Sequence, residues 1–190
     1  MIFTEGEVAG AYAIELEPRR DARGWFARSF CARELAERGL VARVAQVNAQ
    51  WSPAPGTLRG LHWQDPPHAE VKIVRCTRGA VYDVVADVRA DSPTYLRWMA
   101  RELTPDDGLM LYAPEGCAHG YLTLKEDTEV TYFTSAFYAP EAVRGIRWDD
   151  PAFAIAWPAA VRVLSEQDRG WPDHRAPGAP ERPPRRGGAP

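Results

Sequence analysis

Short strand-like segments separated by proline- and glycine-containing turns dominate the chain and restrict the folds open to it. Residues 80–88 show the pattern best, because Val81 and Val85 would lie on one face of a strand while Val84 and Ala86 would lie on the other. Further strands are predicted over Val71–Cys76, Leu109–Ala113, Gly120–Leu124 and Glu129–Thr134. Many short strands at near-regular spacing indicate a sandwich or a barrel. We expect an all-β, cupin-like, double-sheet jelly roll with a few short helices.

A change of composition marks the end of the expected domain. Residues 173–190 are rich in proline, glycine and arginine and show no apolar periodicity, so they bury too little surface to offset the entropy cost of ordering. We therefore expect one jelly-roll domain over residues 1–172 and a flexible tail over residues 173–190. Within the domain, one short helix is predicted over Ala32–Arg38, beginning near Ser29 and ending at Gly39.

Composition and charge argue against several classes of function. The formal net charge of −3 disfavours a nucleic-acid-binding surface. No apolar run approaches the roughly 20 residues of a membrane-spanning helix, and the first residues lack the basic and apolar regions of a secretory signal. Three widely spaced cysteines, an odd number, suit reduced thiols better than a disulfide framework. We expect a cytoplasmic protein with no nucleic-acid or membrane partner.

The four histidines are the first candidates for chemistry. His62 and His119 each lie near a glycine-containing turn at an expected strand end. His68 falls in a proline-rich loop, and His174 borders the tail, where we expect it to be solvated. Metal-binding cupins usually carry a His-x-His pair, but the second position of that pair is Gln64 here. Two histidines are fewer than the three protein ligands usual in a catalytic metal site, so we expect no metal, although carboxylates could complete a set.

Basic residues near aromatic ones suggest an anionic ligand. Arg59 precedes His62 by three residues, Lys72 lies on the next expected strand, and Arg23 precedes Phe26 by three residues. Arginine binds phosphate oxygens in a bidentate manner and aromatic rings can stack on a base, which suits a nucleotide diphosphate. Solvated surface charges are the alternative at this point. The chain has neither a GxGxxG nor a GxxxxGK[ST] motif, so a dinucleotide or P-loop site is not supported.

About a dozen short motifs occur in a fixed order along the chain. They are Arg23-Gly24-Trp25-Phe26, Gln46-Val47-Asn48, Leu58-Arg59-Gly60-Leu61-His62, Pro66-Pro67-His68-Ala69, Val71-Lys72-Ile73-Val74-Arg75-Cys76, Gly79, Tyr82-Asp83-Val84, Ser92-Pro93-Thr94, Gly116-Cys117-Ala118-His119-Gly120, Tyr132, Tyr138-Ala139-Pro140-Glu141 and Trp148-Asp149-Asp150-Pro151. Their order and spacing resemble the dTDP-4-dehydrorhamnose 3,5-epimerases, and the resemblance extends to Asp168. Single-centre 3-epimerases and 5-epimerases of deoxysugar biosynthesis share nearly the same motifs.

The resemblance implies a fold, an activity and a site. Members of this family are metal-free, cofactor-free jelly rolls that form homodimers and act on a nucleotide-linked, usually dTDP-linked, 4-keto-6-deoxyhexose. By position, His62 is the expected base, and Asp168, in the run Leu164-Ser165-Glu166-Gln167-Asp168, orients it. Tyr132 is the expected acid on the opposite face of the sugar, and Lys72 is expected near the C4 oxygen. The side chains expected around the ligand are Arg23, Phe26, Gln46, Asn48, Arg59, His119 and Tyr138.

The expected roles are chemically consistent. A proton next to the C4 ketone is acidic only if the resulting enolate is stabilised, and a cation such as Lys72 supplies that stabilisation. A neutral histidine, with an ordinary pKa of about 6.5, can accept the proton near neutral pH. A carboxylate on its other nitrogen fixes the tautomer. Inversion requires the proton to return from the other face, and a tyrosine hydroxyl can donate it.

Two departures from the family's pattern bear on specificity. Arg28 stands where the family usually has Glu, and residues 132–137 read Tyr-Phe-Thr-Ser-Ala-Phe instead of the common Tyr-Lys-Thr-Thr-Asp-Tyr. Both leave the base and the acid in place but bear on the sugar accepted and on the number of centres inverted.

A metal-dependent cupin enzyme and a non-catalytic sugar-nucleotide-binding protein are the rival interpretations. Retention of His62, Tyr132 and Asp168 together argues against the second, because binding alone needs no acid–base pair.

Overall fold

Antiparallel strands form the framework of the protein in the computed structural model, which describes residues 1–175. In that part of the chain there are thirteen strands, two short α-helices and one 3₁₀ turn. The elements are β1 (Ile2–Glu5), β2 (Tyr12–Glu15), β3 (Arg19–Asp21), β4 (Gly24–Phe26), α1 (Ala32–Ala36), β5 (Gln46–Ser52), β6 (Leu58–Gln64), β7 (Lys72–Arg78), β8 (Val81–Asp87), β9 (Trp98–Leu103), β10 (Leu109–Ala113), β11 (Cys117–Thr123), β12 (Thr128–Thr134), the 3₁₀ turn (Pro140–Ala142), β13 (Val143–Gly145) and α2 (Glu166–Gly170).

Two sheets pack face to face, which confirms the double-sheet jelly roll. The larger sheet has the strand order β1-β2-β10-β7-β12-β5, and the smaller has the order β13-β6-β11-β8-β9. The β3–β4 hairpin forms a separate two-stranded sheet. A buried apolar cluster joins the two main sheets, with Val74, Leu111 and Val130 from the larger and Val85 and Tyr121 from the smaller.

Strand β8 shows how the sequence pattern produces this packing. Val81 and Val85 point into the space between the sheets, as the alternation predicts. Val84 and Ala86 lie on the other face and are also buried, under a segment that includes Ile146 and Phe153. The smaller sheet is therefore covered on both faces. The five strands predicted from residue 71 to residue 134 are present as β7, β8, β10, β11 and β12, with ends shifted by up to three residues.

Helix α1 covers part of the outer face of the larger sheet. Leu35 is buried there in a cluster with Ile73 and Met110. The helix begins at Ala32, as predicted, and ends at Ala36, two residues before the predicted end. Cys31 precedes it and supplies no side-chain cap, so the cap expected near Ser29 is wrong. The chain leaves the helix at Gly39, whose φ of +70° suits glycine.

The expected tail over residues 173–190 lies mostly outside the described residues. Of it, residues 173–175 are described, and His174 packs against the domain instead of being solvated, because Tyr95 and Phe153 contact its ring. No helix in residues 1–175 is long and apolar enough to cross a membrane.

Candidate active site

An open cavity of about 800 Å³ lies between the two sheets. Side chains from both sheets and from helix α2 surround it. The residues that form its walls are thus far apart in sequence, and strand pairing holds them in place. The lining includes Gln46, Asn48, Gln50, Arg59, His62, Glu70, Lys72, His119, Tyr121, Tyr132, Tyr138 and Asp168. A cavity of this size and polarity accommodates a small polar ligand such as a nucleotide sugar.

His62 and Asp168 form a hydrogen-bonded pair in this cavity. Nε2 of His62 lies 2.5 Å from Oδ1 of Asp168. Ser165 caps helix α2 by accepting a hydrogen bond from the Asp168 backbone N–H at 3.0 Å, which orients the start of the helix. Burial alone would raise the pKa of the Asp168 carboxyl, but the hydrogen bonds from His62, Ser165 and the Gly60 backbone, together with the His62 charge, outweigh burial and lower it. Asp168 is thus a carboxylate near neutral pH.

Two glycines let the strand of His62 approach its neighbour. A Cβ atom on Gly60 would lie 2.6 Å from the Gly120 Cα and 2.7 Å from the His119 carbonyl oxygen, so β6 and β11 can meet here only without that side chain. Beyond this point His62 pairs directly with His119. The sequence pattern had placed both histidines at strand ends, but both lie inside strands. Gly60 also has a φ of +117°, which favours glycine.

His119 has its own carboxylate partner. Its Nε2 lies 2.9 Å from Oδ2 and 3.1 Å from Oδ1 of Asp83, and both side chains are buried. The pair fixes the orientation of the imidazole from the neighbouring strand β8. His119 can therefore present its other nitrogen to a ligand in a defined direction.

Lys72 and Glu70 form an ion pair on the wall provided by the larger sheet. Nζ of Lys72 lies 3.1 Å from Oε1 of Glu70 and donates to the His62 carbonyl oxygen at 3.2 Å. Both side chains are largely buried. The ammonium group is thus held beside the backbone of the candidate base, with its position set by two acceptors.

Tyr132 lines the cavity from β12, in the sheet opposite His62. Burial raises the pKa of its hydroxyl, the nearby Glu70 carboxylate raises it further, and the Arg59 cation lowers it in part. The net shift keeps the hydroxyl protonated well above neutral pH. The base and the acid candidates therefore belong to facing sheets on two sides of one cavity.

The remaining expected ligand contacts divide into two groups. Arg59, Gln46, Asn48, His119 and Tyr138 line the cavity. The Arg59 guanidinium is supported by the Ser52 hydroxyl and the Trp51 carbonyl, both at 3.3 Å. The backbone N–H of Tyr138 donates to Gln46 Oε1 at 2.8 Å, which leaves the exposed tyrosine ring at the rim.

Arg23 and Phe26 do not line the cavity of this chain. They lie on the β3–β4 hairpin, which belongs to neither main sheet. Arg23 is bound to Asp21 of the same hairpin, with a side chain that is 90% exposed, and Phe26 is 68% exposed. The hairpin belongs to neither of the sheets whose strands line the cavity, and its two predicted ligand contacts are absent from the lining.

Several lining residues were absent from the sequence-based prediction, among them Gln50, Glu70 and Tyr121. Tyr121 donates a hydrogen bond from its hydroxyl to Gln50 Oε1 at 2.8 Å, and burial raises its pKa. Glu70 forms the ion pair described above. A signal was available for two of them, because Tyr121 lies two residues after His119 on β11 and Gln50 lies two residues after Asn48 on β5. Residues two apart on a strand share a face.

A metal site finds little support in the donor set. Within residues 1–175, no three His, Cys, Asp or Glu side chains lie close enough together to hold a metal ion. Each cavity histidine already has a carboxylate partner, Asp168 for one and Asp83 for the other. The metal-free expectation stays a prediction, which chelation can test.

Comparison with known proteins finds several dTDP-4-dehydrorhamnose epimerases that are similar to this chain. A family model described as dTDP-4-dehydrorhamnose 3,5-epimerase matches residues 5–175. A dTDP-4-dehydrorhamnose 3,5-epimerase from Sinorhizobium fredii is 46% identical over 177 residues, which cover 90% of this chain and 89% of that protein. A dTDP-4-dehydrorhamnose 3-epimerase from Streptomyces niveus is 36% identical over 163 residues, or 85% of this chain and 78% of that protein.

Solved structures agree with the sequence comparisons. The crystal structure of a dTDP-4-dehydrorhamnose 3,5-epimerase from Bacillus anthracis with TDP and PPi bound superimposes with a TM-score of 0.86 at 36% identity. The match covers 90% of this chain and 98% of that one.

Proposed function

Because this chain belongs to the dTDP-4-dehydrorhamnose 3,5-epimerase family, we propose that its cavity inverts C3, C5 or both in a dTDP-linked 4-keto-6-deoxyhexose. The protein is a sugar-nucleotide epimerase, and its relatives include both 3,5-epimerases and a 3-epimerase. One observation carries the mechanism: His62 and Tyr132 line one cavity from two facing sheets. Inversion at carbon requires an acceptor and a donor of protons on opposite faces of the sugar, and this arrangement can supply both.

His62 is the proposed base. Asp168 holds the proton-bearing Nε2 of the neutral imidazole, so Nδ1 keeps the lone pair that accepts a proton from the sugar. The same carboxylate stabilises the imidazolium that then forms. The proton leaves the carbon next to the C4 ketone, and its bonding electrons move into the enolate.

Lys72 is the proposed partner of the enolate oxygen. Its ammonium group lies in the cavity beside the His62 backbone, where it can face negative charge that develops on the C4 oxygen. Such a fixed cation acts most strongly where protein surrounds it and water is scarce. Glu70 holds the ammonium in place but also reduces the net positive charge of this wall.

Tyr132 is the proposed acid. Its raised pKa keeps the hydroxyl protonated until the enolate forms. The enolate carbon is a much stronger base than a tyrosinate, so the proton moves to carbon from the face opposite His62. One cycle leaves a protonated His62 and a deprotonated Tyr132, and proton exchange with water restores both groups.

The nucleotide diphosphate is assigned to the polar rim of the cavity. Arg59 offers a guanidinium group that is held by two hydrogen bonds and suits phosphate oxygens. Tyr138 presents an exposed ring at the rim, which suits stacking on the base, and Gln46 and Asn48 supply amides nearby.

A homodimer completes the proposal. On the edge strand β5, the face turned away from the cavity exposes Val47 and Trp51 by 56% and 51%, so two large apolar side chains share one uncovered strand face. A second copy that covers this face could also carry its β3–β4 hairpin, with Arg23 and Phe26, toward the cavity. Light scattering should give a dimer for the wild type and a monomer for Trp51→Glu. Ile2→Glu, on the opposite edge strand β1, is the matched control and should remain dimeric.

The activity is tested by incubating the protein with dTDP-4-keto-6-deoxyglucose in deuterated water and locating deuterium by NMR. Deuterium at both C3 and C5 identifies a 3,5-epimerase, and deuterium at one centre identifies a single-centre enzyme. A sample without protein corrects for spontaneous exchange. Failure to exceed that background at either carbon would contradict the proposed function.

A further inference from the structure

Residues 171–174, here called the strap, follow helix α2 directly, and the first of them, Trp171, lies against the ring of His62. The indole ring of Trp171 contacts the His62 ring edge-on, with 5.9 Å between the ring centroids. Its other neighbour is Gly145 of β13, where a Cβ atom would lie 2.3 Å from Trp171 Cε2. Trp171 is therefore held between the backbone of one strand and the imidazole of the candidate base.

The far end of the strap is anchored on loop residues that lie outside the strands of the smaller sheet. The His174 backbone N–H donates to the buried Asp150 carboxylate, and its ring Nε2 lies 2.7 Å from the Tyr95 hydroxyl. The His174 ring also contacts the rings of Tyr95 and Phe153, at centroid distances of 5.6 Å and 5.3 Å. These contacts fix the chain only three residues beyond Trp171.

Helix α2 needs such support. It spans five residues, little more than one turn, and a helix of that length has almost no stability of its own. On its N-terminal side, Leu58 donates a backbone hydrogen bond to the Val163 carbonyl at 2.9 Å. On its C-terminal side the strap provides the next contacts. The position of Asp168 relative to His62 thus depends on an anchor at each end of the helix.

We propose that the strap is a positioning device for the His62–Asp168 pair, with Trp171 as the positioning residue and His174 as its anchor. Trp171 contacts the His62 ring and is not among the side chains that line the cavity, so we assign its effect to the base and not to the ligand. The proposal rests on the assignment of His62 as the base. It adds that the rate of proton abstraction depends on a side chain that the substrate does not contact.

The chemistry of the contact predicts which substitutions matter. The Trp171 indole N–H is buried and has no hydrogen-bond partner in residues 1–175, so the ring acts by packing alone. Trp171→Phe keeps an aromatic ring there and should retain activity, while Trp171→Ala should let the imidazole move. Displacement of a catalytic group by about 1 Å costs roughly 100-fold in rate.

The test uses the full chain and measures kcat and KM separately in the proton-exchange and epimerisation assays. Trp171→Ala should lower kcat by roughly 10- to 100-fold, with KM little changed, and Trp171→Phe should restore most of it. His174→Ala, which removes the ring anchor but keeps the backbone bond, should lower kcat by a smaller factor. Arg169→Ala on the exposed side of α2 is the matched control and should behave as the wild type.

A readout that does not depend on turnover separates this proposal from the proposed function. In the ¹⁵N NMR spectrum of the imidazole, His62 should show one tautomer in the wild type and in Trp171→Phe, and a mixture in Trp171→Ala and His174→Ala. Wild-type kcat and a wild-type His62 spectrum in folded Trp171→Ala would overturn the strap proposal. If Trp171→Ala does not fold, unchanged kcat and spectrum in His174→Ala would overturn it. Inactivity of the wild type itself would instead reject the proposed function.

Discussion

Asp168→Asn is the substitution whose effect the geometry constrains most closely. Oδ1 of Asp168 lies 2.5 Å from His62 Nε2, and Oδ2 accepts a longer hydrogen bond, at 3.4 Å, from the Gly60 backbone N–H. Asparagine offers one oxygen to these two donors. If the oxygen faces Gly60, the amide NH₂ faces His62 and stabilises the tautomer protonated on Nδ1, which cannot accept a proton from the sugar. If the oxygen faces His62, the tautomer survives but the negative charge is lost.

Both orientations slow the reaction, by different amounts. A hydrogen bond to a charged group contributes about 1.5–3 kcal/mol, so loss of the charge alone should lower kcat by roughly 10- to 150-fold. Where the wrong tautomer dominates, the loss approaches the roughly 10⁴-fold seen when the Asp of a serine-protease triad becomes Asn. KM should change little, because Asp168 acts on His62 and is not assigned to the ligand.

Steady-state kinetics with NMR detection of the epimerised sugar measures both constants. Glu166→Gln is the matched control, since it removes a carboxylate from the same helix at a position that is 94% exposed. It should leave both constants at wild-type values. An Asp168→Asn variant with normal kcat and a raised KM would refute the reasoning, because the carboxylate would then serve the ligand.

The same substitution has a predictable pH signature in stability. The pKa of Asp168 is lowered in the folded protein, so its contribution to stability is present above its unfolded pKa of about 4 and is lost as the pH falls through the lower folded value. The difference in melting temperature between the wild type and Asp168→Asn should therefore be largest near neutral pH and shrink on acidification. A difference that grows at acid pH would contradict the assigned direction of the pKa shift.

Three further predictions follow from the site. Turnover should survive prolonged EDTA treatment and dialysis, and loss of turnover that one divalent metal restores would contradict a metal-free mechanism. Gly60→Ala should lower the stability by about 3 kcal/mol or more by clashing with Gly120, whereas Gly24→Ala, at a similar φ of +121° with open space around it, should cost less in a thermal melt. Glu70→Gln removes a charge that raises the pKa of Tyr132, so the alkaline limb of the kcat–pH profile should move to lower pH, and a shift to higher pH would contradict the assignment.

The strands were predictable because their signal is local. Alternation along residues 80–88 identifies both faces of β8, and turn residues mark most strand ends. Helix α1 begins at the predicted residue, Ala32, but ends two residues early, at Ala36. The cap expected near Ser29 is wrong, because Cys31 precedes the helix and supplies no side-chain cap. Local pattern indicates an element more reliably than its ends.

The residues that form the site were easier to predict than their arrangement in space. Asp168 and His62 are 106 residues apart, and the resemblance to known epimerases, not the spacing, suggested that they meet. The solvated position expected for His174 was wrong, because only tertiary packing reveals that Tyr95 and Phe153 receive its ring. No pattern near residue 23 shows that the hairpin lies outside the cavity of its own chain.

The division of labour between base and acid is tested most directly by following deuterium from solvent into the substrate with His62→Asn and Tyr132→Phe. His62→Asn should lower the rates of both exchange and epimerisation by roughly 10²- to 10⁴-fold, the effect expected when a general base is removed. Tyr132→Phe should still exchange, because His62 can return a deuteron to the face it came from. The starting sugar would then become labelled while inverted product stays scarce. Wild-type epimerisation by Tyr132→Phe, or a loss of exchange in Tyr132→Phe as large as its loss of inversion, would contradict the account.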